Sequence, residues 1–135
     1  MGIRRKAREI ALQSLYQMEF EQNSGLEAFE LFCRHFQINK KSLPYAKELV
    51  LGVAAKKEEL NELIRGSADN WRLERMSVID RNIIRLAVYE ICFCDDVPAE
   101  VAINEAVEIA KRFGTEESGA FINGVLDAVN RAVGG

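Results

Sequence analysis

Ser77-Val78-Ile79-Asp80-Arg81-Asn82-Ile83-Ile84-Arg85-Leu86-Ala87-Val88-Tyr89-Glu90-Ile91-Cys92-Phe93 is the stretch whose reading decides the fold class. Ser77, followed three residues later by Asp80, has the spacing of a capping box, which opens a helix by satisfying its orphan backbone donors. Behind that start Ile79, Ile83, Ile84, Leu86, Ala87, Val88 and Ile91 leave no broad polar face. A helix apolar nearly all round is buried on most sides, so residues 78–93 are expected to form the central helix.

Working outward, Pro98 suits the start of a helix that carries Ala102, Ala106, Ile109 and Phe113 inward. Lys111 and Arg112 match its negative end, and Gly114 stops it. Thr115 reads as the cap of a last helix, with Glu116 and Glu117 in its first turn and Ile122, Leu126, Val129 and Val133 on its inner face. On the N-terminal side a first helix covers residues 3–20. Ile3, Ala7, Ile10, Ala11, Leu15 and Met18 form one face, and Leu12, Tyr16 and Phe20 a second stripe beside it. Ser24 with Glu27 opens another helix carrying Phe29, Phe32 and Phe36. A third begins near Pro44 and runs through Ala46, Leu49, Val50, Val53, Leu60 and Ile64 to Gly66. The pattern weakens over residues 69–75, where Trp71 and Leu73 are expected to cap the core from a short turn. No alternation of period two is sustained anywhere. The expectation is an all-α chain of six to seven helices.

The 135 residues are enough for one domain with a real core, and 48% hydrophobic and 29% charged content is ordinary for a globular protein. No apolar run approaches the roughly 18 residues that a membrane-spanning helix needs. Glu9, Gln13 and Gln17 interrupt the region where a signal peptide would be apolar, so a cytoplasmic protein is expected. Cys33, Cys92 and Cys94 form no framework of spaced pairs, and with His35 as the single histidine no metal site or cofactor is expected. His35 lies on the phenylalanine-rich segment and suits a boundary residue better than a catalytic base. No phosphate loop, zinc-protease or nucleophile-elbow motif occurs, so no enzyme activity is expected. Glu90, Asn104 and Glu105 are polar residues on otherwise apolar helices and are expected to pair internally.

Charge distribution is more informative than the net value of −3. Arg4, Arg5, Lys6 and Arg8 crowd the first two turns of a helix, and the rest of the chain is correspondingly more acidic. Each cation there is disfavoured by a few tenths of a kcal/mol by the macrodipole, and Arg4 and Arg8 repel at i,i+4. Only Arg5 with Glu9 has a compensating spacing. Such a placement fits an anion better than it fits helix stability, and arginine's fork suits phosphate. Tyr16 on the same helix and Phe121 near the start of the last one are aromatic rings of the kind on which unstacked RNA bases stack.

These residues also carry a resemblance. Arg4-Arg5-Lys6-Ala7-Arg8-Glu9 with Ala11-Leu12-Gln13-Ser14-Leu15-Tyr16 resembles the opening of the NusB family. More specific are residues 80–90, Asp96-Val97-Pro98, Val101-Ala102-Ile103-Asn104-Glu105-Ala106-Val107-Glu108-Ile109-Ala110-Lys111-Arg112-Phe113-Gly114 and Phe121-Ile122-Asn123-Gly124-Val125-Leu126-Asp127. The resemblance implies a NusB-like fold of two small packed helical bundles, about 1–66 and 77–135, in one RNA-binding domain. It implies a non-catalytic transcription antitermination factor that binds single-stranded boxA RNA of ribosomal-RNA leader transcripts. Its partners would be NusE, a small-subunit ribosomal protein, and the transcription elongation complex, with a homodimer known in some members. By position Arg4, Arg5, Lys6, Arg8, Tyr16, Glu117 and Phe121 would lie at the RNA surface and Asp80 at the NusE interface. The same fold occurs fused to RNA methyltransferases, whose catalytic domain has no room in 135 residues. Two other readings of the residues are a self-associating helical protein-interaction module and a membrane-surface protein. The apolar face of the first helix is better used in the core of so small a domain, which argues against the second of these.

Overall fold

The computed structural model describes residues 2–21, 26–27, 29–30, 33, 40–67 and 72–134. All regular elements among them are helical. The expected capping residue Ser24, Phe32, His35, Phe36 and Trp71 lie outside the described residues. Two compact units result, Met1–Ala55 and Lys56–Gly135.

The first unit contains α1 (Ile3–Glu21) and α2 (Leu43–Ala55), packed on each other. Residues 26–27, 29–30 and 33 between them are also helical. Ala7, Ile10, Ala11, Leu12 and Leu15 of α1 are buried with Ala46, Leu49, Val50 and Val53 of α2, as the helical spacing requires, and Phe29 joins this core. Ser42 ties the two helix starts together, its hydroxyl donating to the Ile3 carbonyl at 3.1 Å. Ile3, expected inward, is instead 49% exposed, at the first residue of the helix.

The second unit holds α3 (Lys57–Ser67), a 3₁₀ turn (Leu73–Arg75), α4 (Val78–Phe93), α5 (Ala99–Phe113) and α6 (Ser118–Val133). α4 packs against α3, α5 and α6, and its residues 82–88 are buried without a break, the surroundings expected of a central helix. Leu73 is buried in the 3₁₀ turn as anticipated. Val133 is exposed at the end of α6 rather than inward.

The helix expected from Pro44 to Gly66 is two helices. A turn at Lys56 divides them, and the Lys56 carbonyl accepts the Leu60 N–H at 2.9 Å to start α3. Seven residues separate Val53 from Leu60, which keeps the apolar phase running through the break and hides it. Glu58 and Glu59 in the first turn of α3 are the local signal of a new helix start. α3 accordingly packs on α4 and α6, within the second unit, whereas the expected boundary near residue 66 placed it with the first.

Candidate nucleic-acid interface

The basic row occupies the first turns of α1, with no acid in its first turn to offset the dipole. Its four members are not equivalent. Arg4 and Lys6 are exposed and Arg5 is half-buried, while Arg8 is only 5% exposed and the adjacent Glu9 only 4%. Two members of the row, Arg4 and Arg8, share Tyr45 of α2. Its ring lies 4.3 Å from the Arg4 guanidinium and 5.9 Å from that of Arg8, both within the range of cation–π attraction. The negative face of the ring therefore offsets part of the mutual repulsion of the two arginines. Sequence spacing had no means of finding Tyr45, since the aromatic comes from another helix.

Tyr16 is 39% exposed and stacks on Phe20, itself 63% exposed, with ring centroids 5.0 Å apart and planes tilted by 56°. Eleven residues, about three turns at 3.6 residues per turn, separate Tyr16 from Arg5, so both lie on one face of α1. That face thus runs from Arg5 to an exposed aromatic pair.

In the second unit Glu117 and Phe121 sit at the start of α6. The turn before α6 differs from the expected cap at Thr115. The helix begins at Ser118, and it is the Ser118 Oγ that accepts the Thr115 N–H at 2.9 Å. Glu116 and Glu117 consequently precede the helix. Glu117 is exposed, its carboxylate accepts from the Thr115 hydroxyl at 3.3 Å, and its carbonyl accepts the Phe121 N–H at 3.1 Å. Phe121 is half-buried. Gly114 has φ −98°, so it is required by space and not by left-handed backbone. A Cβ there would stand 2.7 Å from the Ser118 Cβ and 2.9 Å from the Ala110 carbonyl.

Asp80 lies in the first turn of α4. The Ser77 hydroxyl accepts its N–H at 3.0 Å, which makes one half of the capping box. The expected return from the carboxylate is missing: Asp80 Oδ1 is buried with no hydrogen-bond partner among the described residues. One turn further along α4, Arg85 is buried and donates from Nε to Asn61 Oδ1 at 2.9 Å and from Nη1 to Asn82 Oδ1 at 3.3 Å. This pairing of α3 with α4 was missed in the sequence, where Arg85 looks like one more surface cation. Glu90 is buried, whereas Asn104, expected to pair internally, is exposed on α5.

Burial raises the thiol pKa of Cys33, with Glu30 adding to it, and of Cys92, with Glu59 adding to it. Neither is disposed to ionise as a nucleophile or ligand. Among the described residues no group of three or more His, Cys, Asp or Glu could hold a metal, and no helix is long and apolar enough to cross a membrane.

Residues 5–131 match the pattern of the NusB family. A protein of Desulfotalea psychrophila named transcription antitermination protein NusB is 57% identical over 135 residues, covering 96% of each chain. Among solved structures, NusB of T. maritima superimposes with a TM-score of 0.84 at 40% identity, covering 95% of this chain and 90% of that one. A chain of the crystal structure of antitermination factors NusB and NusE in complex with dsRNA gives a TM-score of 0.85 at 28% identity, covering 98% of each. This chain belongs to the NusB family.

Proposed function

We propose that the chain is a non-catalytic transcription antitermination factor that binds boxA-like RNA together with NusE in the cytoplasm and delivers both to the transcription elongation complex. The observation that carries this reading is the basic start of α1, with Arg5 on the same face as the exposed Tyr16–Phe20 pair and Arg4 set against the Tyr45 ring beside it. Arg4, Arg5 and Lys6 supply phosphate contacts. Arg8, being buried, acts by fixing Tyr45 and through it Arg4. Tyr16 and Phe121 serve as stacking platforms, which favours single-stranded over duplex RNA because only unstacked bases offer their faces. Glu117, one turn before Phe121, limits the affinity of that platform for RNA. Asp80 is taken as the partner-facing residue from its place in the family pattern, at the start of α4. Binding alone performs this role, and no bond need be made or broken.

The test is RNA affinity by fluorescence anisotropy on boxA-like, scrambled and duplex RNA, with and without NusE. The boxA-like single strand is expected to bind best, and NusE to tighten it. With three phosphates engaged, log affinity falls against log salt with slope about −2. The triple variant Arg4→Ala, Arg5→Ala, Lys6→Ala should lose most RNA binding while its melting temperature falls by no more than about 5 °C, the share of the Arg4–Tyr45 contact. Normal RNA binding by that variant would place the interface elsewhere.

A further inference from the structure

Between α5 and α6 lies a groove of about 590 Å³, a volume within the range of small-ligand sites. α5 lines it with Asn104, Val107 and Lys111, one stripe at i, i+3 and i+7. α6 adds Gly119 and Asn123, and the turn between the helices adds Glu116. We infer that this groove receives one unstacked nucleobase of the bound RNA, an inference that rests on the RNA-binding reading above.

The chemistry of the lining supports that occupant. Asn104 and Asn123 come from different helices, and neither side-chain amide has a hydrogen-bond partner among the described residues. A carboxamide offers a donor and an acceptor side by side, the pattern that a base edge meets in bidentate fashion. The Glu116 carboxylate accepts from exocyclic amino groups. Val107 and Gly119 leave an apolar floor without a large side chain, where the face of a base can lie. Lys111 supplies a cation for the adjoining phosphate. Its pairing with Glu108 at 3.4 Å is largely solvent-exposed and so holds it weakly. At about 100° per residue Phe121 lies about 200° around α6 from both Gly119 and Asn123, so the groove opens on the flank of α6 toward α5, and the base it receives is a different one from any stacked on Phe121.

Gly119 provides a separate handle. A Cβ there meets Val107 Cγ1 at 3.7 Å and Lys111 Cγ at 3.9 Å, ordinary contact distances. Gly119→Ala is therefore tolerated by the fold and favoured by helix propensity, yet it raises the groove floor.

The experiment measures binding of a boxA-like RNA strand and its single-abasic derivatives to the full chain and to the variants Asn104→Ala/Asn123→Ala and Gly119→Ala, with thermal melts alongside. The unaltered chain should lose about tenfold in affinity at one internal abasic position. The double variant should lose a similar factor on intact RNA and nothing further at that position. Gly119→Ala should weaken RNA binding while its melting temperature rises. Wild-type affinity in the double variant for intact RNA overturns the inference, as does loss of NusE binding with RNA binding unchanged, which would make the groove a protein site. Failure of the unaltered chain to bind intact RNA would instead remove the RNA-binding reading itself, and this inference with it.

Discussion

Tyr45→Leu separates pre-positioning of the basic row from its charge. The substitution keeps apolar bulk on α2 and removes only the π face beneath Arg4 and Arg8. The Arg4 contact at 4.3 Å is solvent-accessible and worth about 0.5–1 kcal/mol. The Arg8 contact at 5.9 Å is near the outer limit of such attraction, although the arginine is buried, so it adds at most about 1 kcal/mol. A total of about 1–2 kcal/mol of stability is at stake, and each kcal/mol moves the melting temperature of a domain this size by about 3–5 °C. For RNA the loss is smaller. Arg4 keeps its charge and loses only its preferred placement, so affinity should fall by no more than about fivefold. The number of cations is unchanged, and the slope of log affinity against log salt should not move. Deleting Arg4 itself should flatten that slope by about 0.7. Anisotropy titrations at several salt concentrations distinguish the two variants. If Tyr45→Leu lowers the melting temperature and leaves RNA affinity at the wild-type value, Tyr45 only packs. If it flattens the salt slope as Arg4→Ala does, the ring controls whether the cation engages at all, and the placement argument is wrong.

Other substitutions have equally definite outcomes. Glu117→Gln keeps the Thr115 hydrogen bond and removes a charge beside the RNA path, so RNA binding should tighten by up to about fivefold, the value of about 1 kcal/mol between near charges in water; unchanged or weaker binding counts against Glu117 lying at that edge. Gly114→Ala drives a methyl into the Ser118 Cβ and the Ala110 carbonyl and should cost about 1–3 kcal/mol in urea unfolding. Arg85→Ala strands the Asn61 and Asn82 oxygens in the core and should cost about 3 kcal/mol or more, with the Arg85→Ala/Asn61→Ala double variant costing less than the two singles together. Glu74 has its carboxyl pKa lowered, first by a hydrogen bond from its own backbone N–H and then by Arg65, which donates to it at 2.8 Å. Its contribution is present above the ordinary glutamate value of about 4.3 and is lost as pH falls through the lower folded-state value. Melts of Glu74→Gln should therefore show a slightly shallower decline in acid than the unaltered chain, and an identical acid limb would show that the lowered value carries no stability.

The central helix was legible almost to the residue, because Ser77 and the apolar run of residues 78–93 speak locally for cap, length and burial. α5 was equally plain from Pro98 to Gly114. What escaped the sequence depends on neighbours distant along the chain. Nothing in Ala54-Ala55-Lys56-Lys57 breaks a helix by propensity, and the turn there follows from what α3 packs against. Arg8, Glu9 and Arg85 carry full charges, and charges are taken as exposed until a structure shows partners for them. Thr115 and Ser118 exchange roles because both are good capping residues three positions apart, and spacing alone does not decide which side chain accepts. Within the candidate interface, Arg4, Arg5, Lys6 and Tyr16 could be chosen by residue type, whereas Tyr45 and the paired Asn104 and Asn123 required two helices to be brought together.

The packing of α3 on α6 has a consequence for synthesis. α5 and α6 are joined by residues 114–117 alone and form a hairpin of sequence-local contacts, the kind that closes quickly. α3 is different: about 50 residues separate its end from the start of α6. At ribosomal rates of about 5–20 residues per second that interval is roughly 3–10 s. For those seconds Leu60 and Ile64, fully buried in the finished protein, lack the α6 part of their packing. Adhesion of the nascent chain to its neighbours is then most to be expected in that window, and a pause between residues 67 and 118 would lengthen it.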